Sequence, residues 1–248
     1  MSLPDSLYPI LAAPFIGSFL GVLVTRLPLR QPILCARSAC TACGVPLAPL
    51  DLVPLVSWGL LRGQCRSCGT KIGLSYPAIE LGAVAIALWA AAVADDPLLL
   101  WATCSLGWGL LALAAIDIRH HLLPDALTLP LAGLGLVVTG LVDGAALPSH
   151  LGGNALGYGA FVAIAWAYRR GRGRDGLGRG DAKLLAAAAA WTSWEGLPSV
   201  VLIAAVAGLA AALALRTGGG RIAGDTRIAF GPALCLGLWL VWLYGPLG

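Results

Sequence analysis

Two aspartates stand where acids are expensive. Asp117 closes an apolar run in the string Ala-Ala-Ile-Asp-Ile-Arg-His-His-Leu-Leu-Pro-Asp, and Asp181 opens another in Gly-Leu-Gly-Arg-Gly-Asp-Ala-Lys-Leu-Leu. At a membrane margin an acid is costly unless it is solvated, paired or functional. Two carboxylates brought within hydrogen-bond reach cannot both ionise easily and tend to share a proton, so one can activate a water while the other donates to a scissile carbonyl. Asp181 begins a helix, which makes it the candidate base in a pair that titrates jointly. Gly178 and Gly180 leave the approach to Asp181 free of side chains, which suits close passage of a substrate backbone. The plainer alternatives are a topology-flanking acid at Asp117 and a helix N-cap at Asp181.

A second constellation is built from sulfur. Cys40-Thr-Ala-Cys43 and Cys65-Arg-Ser-Cys68 form two CxxC pairs separated by 21 residues. Each CxxC turn places two thiols on one side of a knuckle, and two knuckles complete the tetrahedral four-thiolate shell of a structural zinc site. Gly44 and Gly69 follow the second cysteine of each pair, where the chain must turn sharply. Two disulfides or free thiols are the competing states; in a reducing compartment paired CxxC motifs more often hold metal. Cys35 is a possible substitute ligand without a CxxC partner, and Cys104 and Cys235 lie in apolar runs as packing residues. A closed four-cysteine site leaves no open coordination position, so its zinc would organise the segment and take no part in catalysis.

The elements that must position these groups are membrane helices. Hydrophobic residues make up 58% of the chain and charged residues 11%, against about 25% charged in a soluble domain. Mean hydropathy is +0.85. Apolar runs near residues 8–24, 78–94, 98–116, 126–142, 151–168, 182–194, 198–215 and 228–243 predict an all-α polytopic protein of about eight transmembrane helices, the sixth short. The runs are continuously apolar, without the alternation of a barrel strand. No basic region precedes the first run, which reads as a retained helix and not a cleaved signal.

Charge asymmetry gives an orientation. Segments 26–77, 117–125, 169–183 and 216–227 hold six, one, six and three Lys or Arg residues, which is the full sixteen. The opposite side carries only the acids Asp5, Asp95, Asp96, Asp143 and Glu195. The positive-inside rule then sets the N-terminus outside, and the cysteine-bearing insertion and both aspartates in the cytoplasm. The net charge of +4 is a topology signal, and no nucleic-acid binding is expected. The division predicted is a first transmembrane helix at 1–25, a cytoplasmic zinc-knuckle insertion at 26–77 and a seven-helix catalytic domain at 78–248.

The string from Asp175 to Leu185 resembles the signature of the prepilin peptidases, the type IV leader peptidases among the GxGD membrane aspartic proteases. Gly17-Ser-Phe-Leu20, the two CxxC pairs, Asp117 through Pro130 and Phe230-Gly-Pro232 agree in order, so the resemblance covers nearly the whole chain. It implies a bacterial inner-membrane endopeptidase that cuts the basic leader from type IV prepilins or type II secretion pseudopilins on the cytoplasmic side. Its implied catalytic residues are Asp117 and Asp181, its zinc ligands Cys40, Cys43, Cys65 and Cys68, and cleavage itself would need no metal. Members with the cysteine-bearing insertion usually also methylate the new N-terminus with S-adenosylmethionine, which makes 26–77 a methyltransferase-associated region. Gly21 departs from the Asn common in relatives, in a stretch linked to methylation, and Asp175 replaces a Glu.

The remaining polar groups have simpler expectations. Lys183 is a cation that tunes Asp181 or, preferably, snorkels to the interface. Asp125 caps the fourth run. His120 and His121 are solvated interfacial residues, and the nine Trp residues suit boundary belts. Asp51, Asp125, Asp175 and Asp225 are the acids exposed for docking a basic leader. Two other functions stay open: a GxGD protease with a different membrane substrate, and a non-catalytic membrane scaffold whose zinc module binds a partner.

Overall fold

The computed structural model describes residues 4–33, 37–172, 178–217 and 229–247. Cys35, Asp175 and Asp225 lie outside them. The long elements are all helical: α1 (Leu7–Arg26), the short α2 (Val56–Leu60), α3 (Ser75–Val93), α4 (Pro97–His120), α5 (Asp125–Val142), α6 (Leu147–Arg172), α7 (Arg179–Thr217) and α8 (Gly231–Tyr244). Five of these, α1, α3, α4, α5 and α7, are long and apolar enough to cross a membrane. Leu129, Leu141, Val206 and Leu209 stay more than 60% exposed on them, as side chains that meet lipid and not water. The chain divides into two compact units, Met1–Ala112 and Leu113–Gly248.

In the first unit α1 packs on α3 at a contact only glycine permits. A Cβ on Gly17 would lie 2.6 Å from the Glu80 Cα, so backbones meet without intervening side chains, the small-residue packing that holds membrane helices. Trp108 of α4 donates its indole N–H to the Ala83 carbonyl at 3.0 Å. Between α1 and α3 the insertion folds as two matching hairpins, closed by the bridges Ala39 to Pro46 and Gln64 to Lys71.

In the second unit α5, α6 and α8 pack around α7. Gly135 of α5 faces Trp191, where a Cβ would come within 2.8 Å of the indole, and the indole N–H donates to the Leu131 carbonyl at 2.9 Å. Trp108, Trp191 and Trp239 are therefore core residues, 5%, 2% and 6% exposed. This corrects the boundary-belt expectation for these three. A ring with one N–H can be buried once a helix carbonyl opposite a glycine is within reach.

The helix α7 is a hairpin. As one rod its 39 residues would measure about 58 Å, against about 30 Å of bilayer core. Ser193 breaks it at φ 58°, ψ −178°. Trp191 stacks edge-on against Trp242 near the end of α8, while Gly208 faces Phe230, just before α8 begins. The arm after Ser193 thus runs back along α8. The two arms are the sixth and seventh apolar runs of the sequence, joined more tightly than their spacing suggested.

Candidate active site and cysteine cluster

Asp117 lies in the last turn of α4 and is buried, 6% exposed. Its Oδ2 accepts the Gly231 N–H at 3.0 Å, a bond across 114 positions to the first residue of α8. Pro232 follows, with its ring at a first-turn position where no helical N–H is required. A Cβ on Gly231 would stand 2.6 Å from Oδ2 and 2.9 Å from Cγ of Asp117, so no other residue fits without moving the carboxylate. After Asp117 the chain leaves α4 through His121 at φ 48°.

Asp181 is the third residue of α7, and its Oδ2 accepts the Gly178 N–H at 3.3 Å. That contact is the reciprocal half of a capping box, with the side chain reaching back to the N–H ahead of the helix. The plain capping function and a chemical one coexist in this residue. A side chain on Gly180 would meet Leu123 at 3.0 Å, so the missing Cβ is used to dock the start of α7 on the turn before α5. Asp181 lies within the electrostatic reach of Asp117, and Cys235, one turn into α8, within that of both. Three helix ends, those of α4, α7 and α8, therefore bring the two acids together.

Asp125 does not cap α5: Pro124 occupies the N-cap position and makes no side-chain cap. The Asp125 carboxylate instead holds Lys183, with Nζ to its two oxygens at 2.6 and 2.7 Å. Lys183 is accordingly an ion-pair partner linking the first turns of α5 and α7, not a snorkelling cation. Asp51 is likewise engaged, 2.7 Å from Arg66 with its side chain 9% exposed, and is not an open docking acid.

The four CxxC cysteines converge in the first unit, with all ligand sulfurs within 4.8 Å of one another and no disulfide among them. Cys40 N–H bonds to Val45 and Gly44 N–H returns to Cys40; Cys65 N–H bonds to Thr70 and Gly69 N–H returns to Cys65. Gly44 and Gly69 take φ of 72° and 70°, the left-handed turn each knuckle needs. The Cys40 and Cys68 sulfurs are 3.8 Å apart. Tetrahedral zinc with Zn–S near 2.3 Å requires about that separation.

The charges fit a cation as well. The Thr70 hydroxyl, 3.3 Å from Cys68 Sγ, holds that thiol at about 6, and the Cys43 N–H draws Cys40 below its ordinary value. At Cys43 the Val45 N–H is outweighed by desolvation and by the neighbouring Cys68 and Cys40 sulfurs, which push it up to about 11. Four sulfurs this close cannot all ionise without a positive ion among them. The donor set could hold zinc.

The placement of two further residues was missed by sequence reading. Gly231 belongs to a noted Phe-Gly-Pro string, but nothing local says that it faces Asp117. Glu80 went unread because one acid hardly alters the average of an apolar helix; its signal was its charge inside that run.

Comparison with known proteins agrees with this architecture. Residues 11–94 match the Bacterial Peptidase A24 N-terminal domain, and residues 104–213 match the Type IV leader peptidase family. A Burkholderia pseudomallei (strain 1026b) protein named "Prepilin leader peptidase/N-methyltransferase" is 40% identical over 247 residues, covering 90% of this chain and 80% of its own. A protein of the same name from Pseudomonas aeruginosa PAO1 is 35% identical over 263 residues, covering 95% and 89%. One from Aeromonas hydrophila is 35% identical over 257 residues, covering 93% and 87%. No solved structure matches the chain. The all-helical fold with five apolar helices is that of a polytopic membrane protein. The chain belongs to the type IV leader peptidase family and is an enzyme of that class.

Proposed function

We propose that the chain removes the basic leader of type IV prepilins or type II secretion pseudopilins at the cytoplasmic face of a bacterial inner membrane, and then methylates the new N-terminus. The observation that carries the first step is the convergence of Asp117 and Asp181 from the ends of α4 and α7, with Gly231 of α8 fixing one of them. In this mechanism the pair shares one proton. The ionised partner takes a proton from water as its oxygen attacks the scissile carbonyl, and the protonated partner donates to the carbonyl oxygen. The tetrahedral intermediate then collapses, with the first partner returning its proton to the departing amine. The basic residues of the inside segments support the cytoplasmic orientation, with the N-terminus outside. Reconstituted in lipid with a prepilin, the chain should release the leader and leave a shortened product by mass spectrometry. An unchanged substrate would defeat the proposal.

The Lys183 pair with Asp125 supports the placement of Asp181 two residues earlier in α7. Both side chains are substantially exposed, 33% and 55%, so a double-mutant cycle should give a coupling of about 0.5 to 1 kcal/mol. Lys183→Asp and Asp125→Lys should each slow cleavage, and the exchanged pair should recover part of the loss. Singly additive losses in cleavage rate would show that the pair does not act on the site.

Zinc in the cysteine cluster would brace residues 26–77, where little apolar core exists. Purified parent protein should contain about one zinc per chain, and Cys65→Ser with Cys68→Ser close to none, by elemental mass spectrometry. Equal metal content in both would remove zinc from the assignment. The relatives' second named activity supports S-adenosylmethionine as a cofactor. Gly21, the departure in the stretch linked to methylation, borders the Tyr76 ring, where a Cβ would be 3.4 Å away, an ordinary contact.

A further inference from the structure

The three most exposed large apolar side chains of the described residues are Leu60, Leu50 and Leu74, at 80%, 75% and 72%. All lie in the insertion between α1 and α3, and none on a helix long enough to span. Val56, also exposed, lies one turn before Leu60 on the same face of α2. The other face of α2 is occupied. Trp58 packs on Gly63, where a Cβ would meet the ring at 2.9 Å, and its N–H donates to the Ile72 carbonyl at 3.4 Å. The single 3-10 turn Pro49–Leu52, which carries Leu50, packs beside α2. The insertion thus uses its aromatic ring inside and turns its aliphatic residues outward, an arrangement expected where another phase or partner covers them.

The level at which α2 is held decides what covers it. The 19 residues of α3 measure about 28 Å, against about 30 Å of bilayer core, so its first turns already stand at the edge of the hydrocarbon. Glu80, in the second turn of α3, accepts the Leu55 N–H at 2.7 Å. Helical side chains lean toward the N-terminus, so this bond fixes Leu55, the residue ahead of α2, beside the first turns of α3. Leu55 takes φ 61°, ψ −46°, a conformation L side chains rarely adopt, and the bond holds that turn. Leu29 and Leu74 are exposed where α1 ends and α3 begins. The apolar face of α2 therefore continues the lipid-facing surface of the two spans. Charge agrees: residues 26–77 carry six Lys or Arg against one acid, Asp51, which Arg66 engages at 2.7 Å. Arg62 comes two residues after Leu60 and Arg30 directly after Leu29, both exposed. Long cationic side chains beside exposed leucines reach lipid phosphates while the leucines enter the acyl chains.

We propose that residues 49–62 form an interfacial anchor, with Leu50, Val56 and Leu60 in the upper acyl layer of the adjoining leaflet and Arg62, with Arg30, on the phosphates of anionic lipid. Lipid then supplies the apolar burial that the small core of the insertion lacks. The hairpin Gln64 to Lys71, which follows directly, is held down against the membrane surface by the same contact.

The test places one environment-sensitive fluorescent amino acid at position 60 of the full chain, in nanodiscs of phosphatidylethanolamine and phosphatidylglycerol. Lipid carrying a nitroxide near the head of its acyl chain should quench this reporter about as strongly as one at Leu81, an exposed residue of α3. Aqueous iodide should quench it several-fold less than a reporter at Ala42, exposed on the first cysteine hairpin. Leu50→Asp with Val56→Asp puts charge into the acyl layer and should reverse the two responses at position 60. An unfolding temperature equal to the parent's would show that each labelled chain is folded, and a reporter at position 50 replaces one at 60 that fails to fold. Lipid quenching that the aspartates abolish supports the anchor. Iodide quenching equal to that at Ala42 places the face in water and overturns it. Shielding from both quenchers shows a protein surface on the face and overturns it too, as does lipid quenching indifferent to the aspartates.

Discussion

Replacing Asp181 by Asn is expected to slow leader removal by about 10³-fold or more, and Asp117→Asn by a similar factor, because positioned acid-base groups each contribute roughly 10² to 10⁴. The substitution is nearly isosteric. At Asp181 the amide oxygen can still accept the Gly178 N–H, so the start of α7 keeps its cap. What is lost is the capacity to take up and release a proton. Methylation of a substrate already cleaved should persist in Asp181→Asn, since residues 11–94 match a separate N-terminal domain. Rates of prepilin processing in lipid, with the methyl content of the product read separately, check both statements.

Gly231→Ala is expected to be almost as damaging, although it adds one methyl group to a residue without chemistry of its own. The new Cβ would lie 2.6 Å from Asp117 Oδ2 and 2.9 Å from its Cγ, distances no real contact sustains. Either the carboxylate rotates away from the Gly231 N–H or α8 retreats from α4. A displacement near 1 Å at reacting groups can cost about 10²-fold in rate, and that is the fall anticipated in kcat. Zinc content should stay at the parental value, because the cysteine cluster lies in the first unit. A variant that cleaves at the parental rate would show that this approach of α8 to Asp117 is irrelevant to catalysis.

The acids and cysteines of the candidate site were legible in the sequence because their chemistry conflicts with its surroundings. Asp117 and Asp181 stand out against apolar runs, and two CxxC pairs have few uses in a loop between two apolar helices. The helices were legible for the same reason that lipid demands them, since most of the apolar runs are long enough to span. Contacts between distant segments were not legible. That Gly231 closes on Asp117, that Lys183 engages Asp125, and that Trp191 is sunk against Gly135 depend on which helices are neighbours, which no local spacing encodes. Tryptophan belts are an average tendency, and packing around α7 overrides it at Trp191. Glu80 escaped for a further reason: a single acid in an apolar helix is diluted by its neighbours, and only the fold shows that it holds Leu55.

Whether the two aspartates act as one unit is decided by comparing the single variants with the double variant Asp117→Asn/Asp181→Asn. Groups that serve one step are strongly non-additive, and losing the second costs little once the first is gone. Single-turnover cleavage of a prepilin in lipid should therefore be as slow in either single variant as in the double. Losses that multiply, or a single variant that cuts at the parental rate, would contradict a shared dyad.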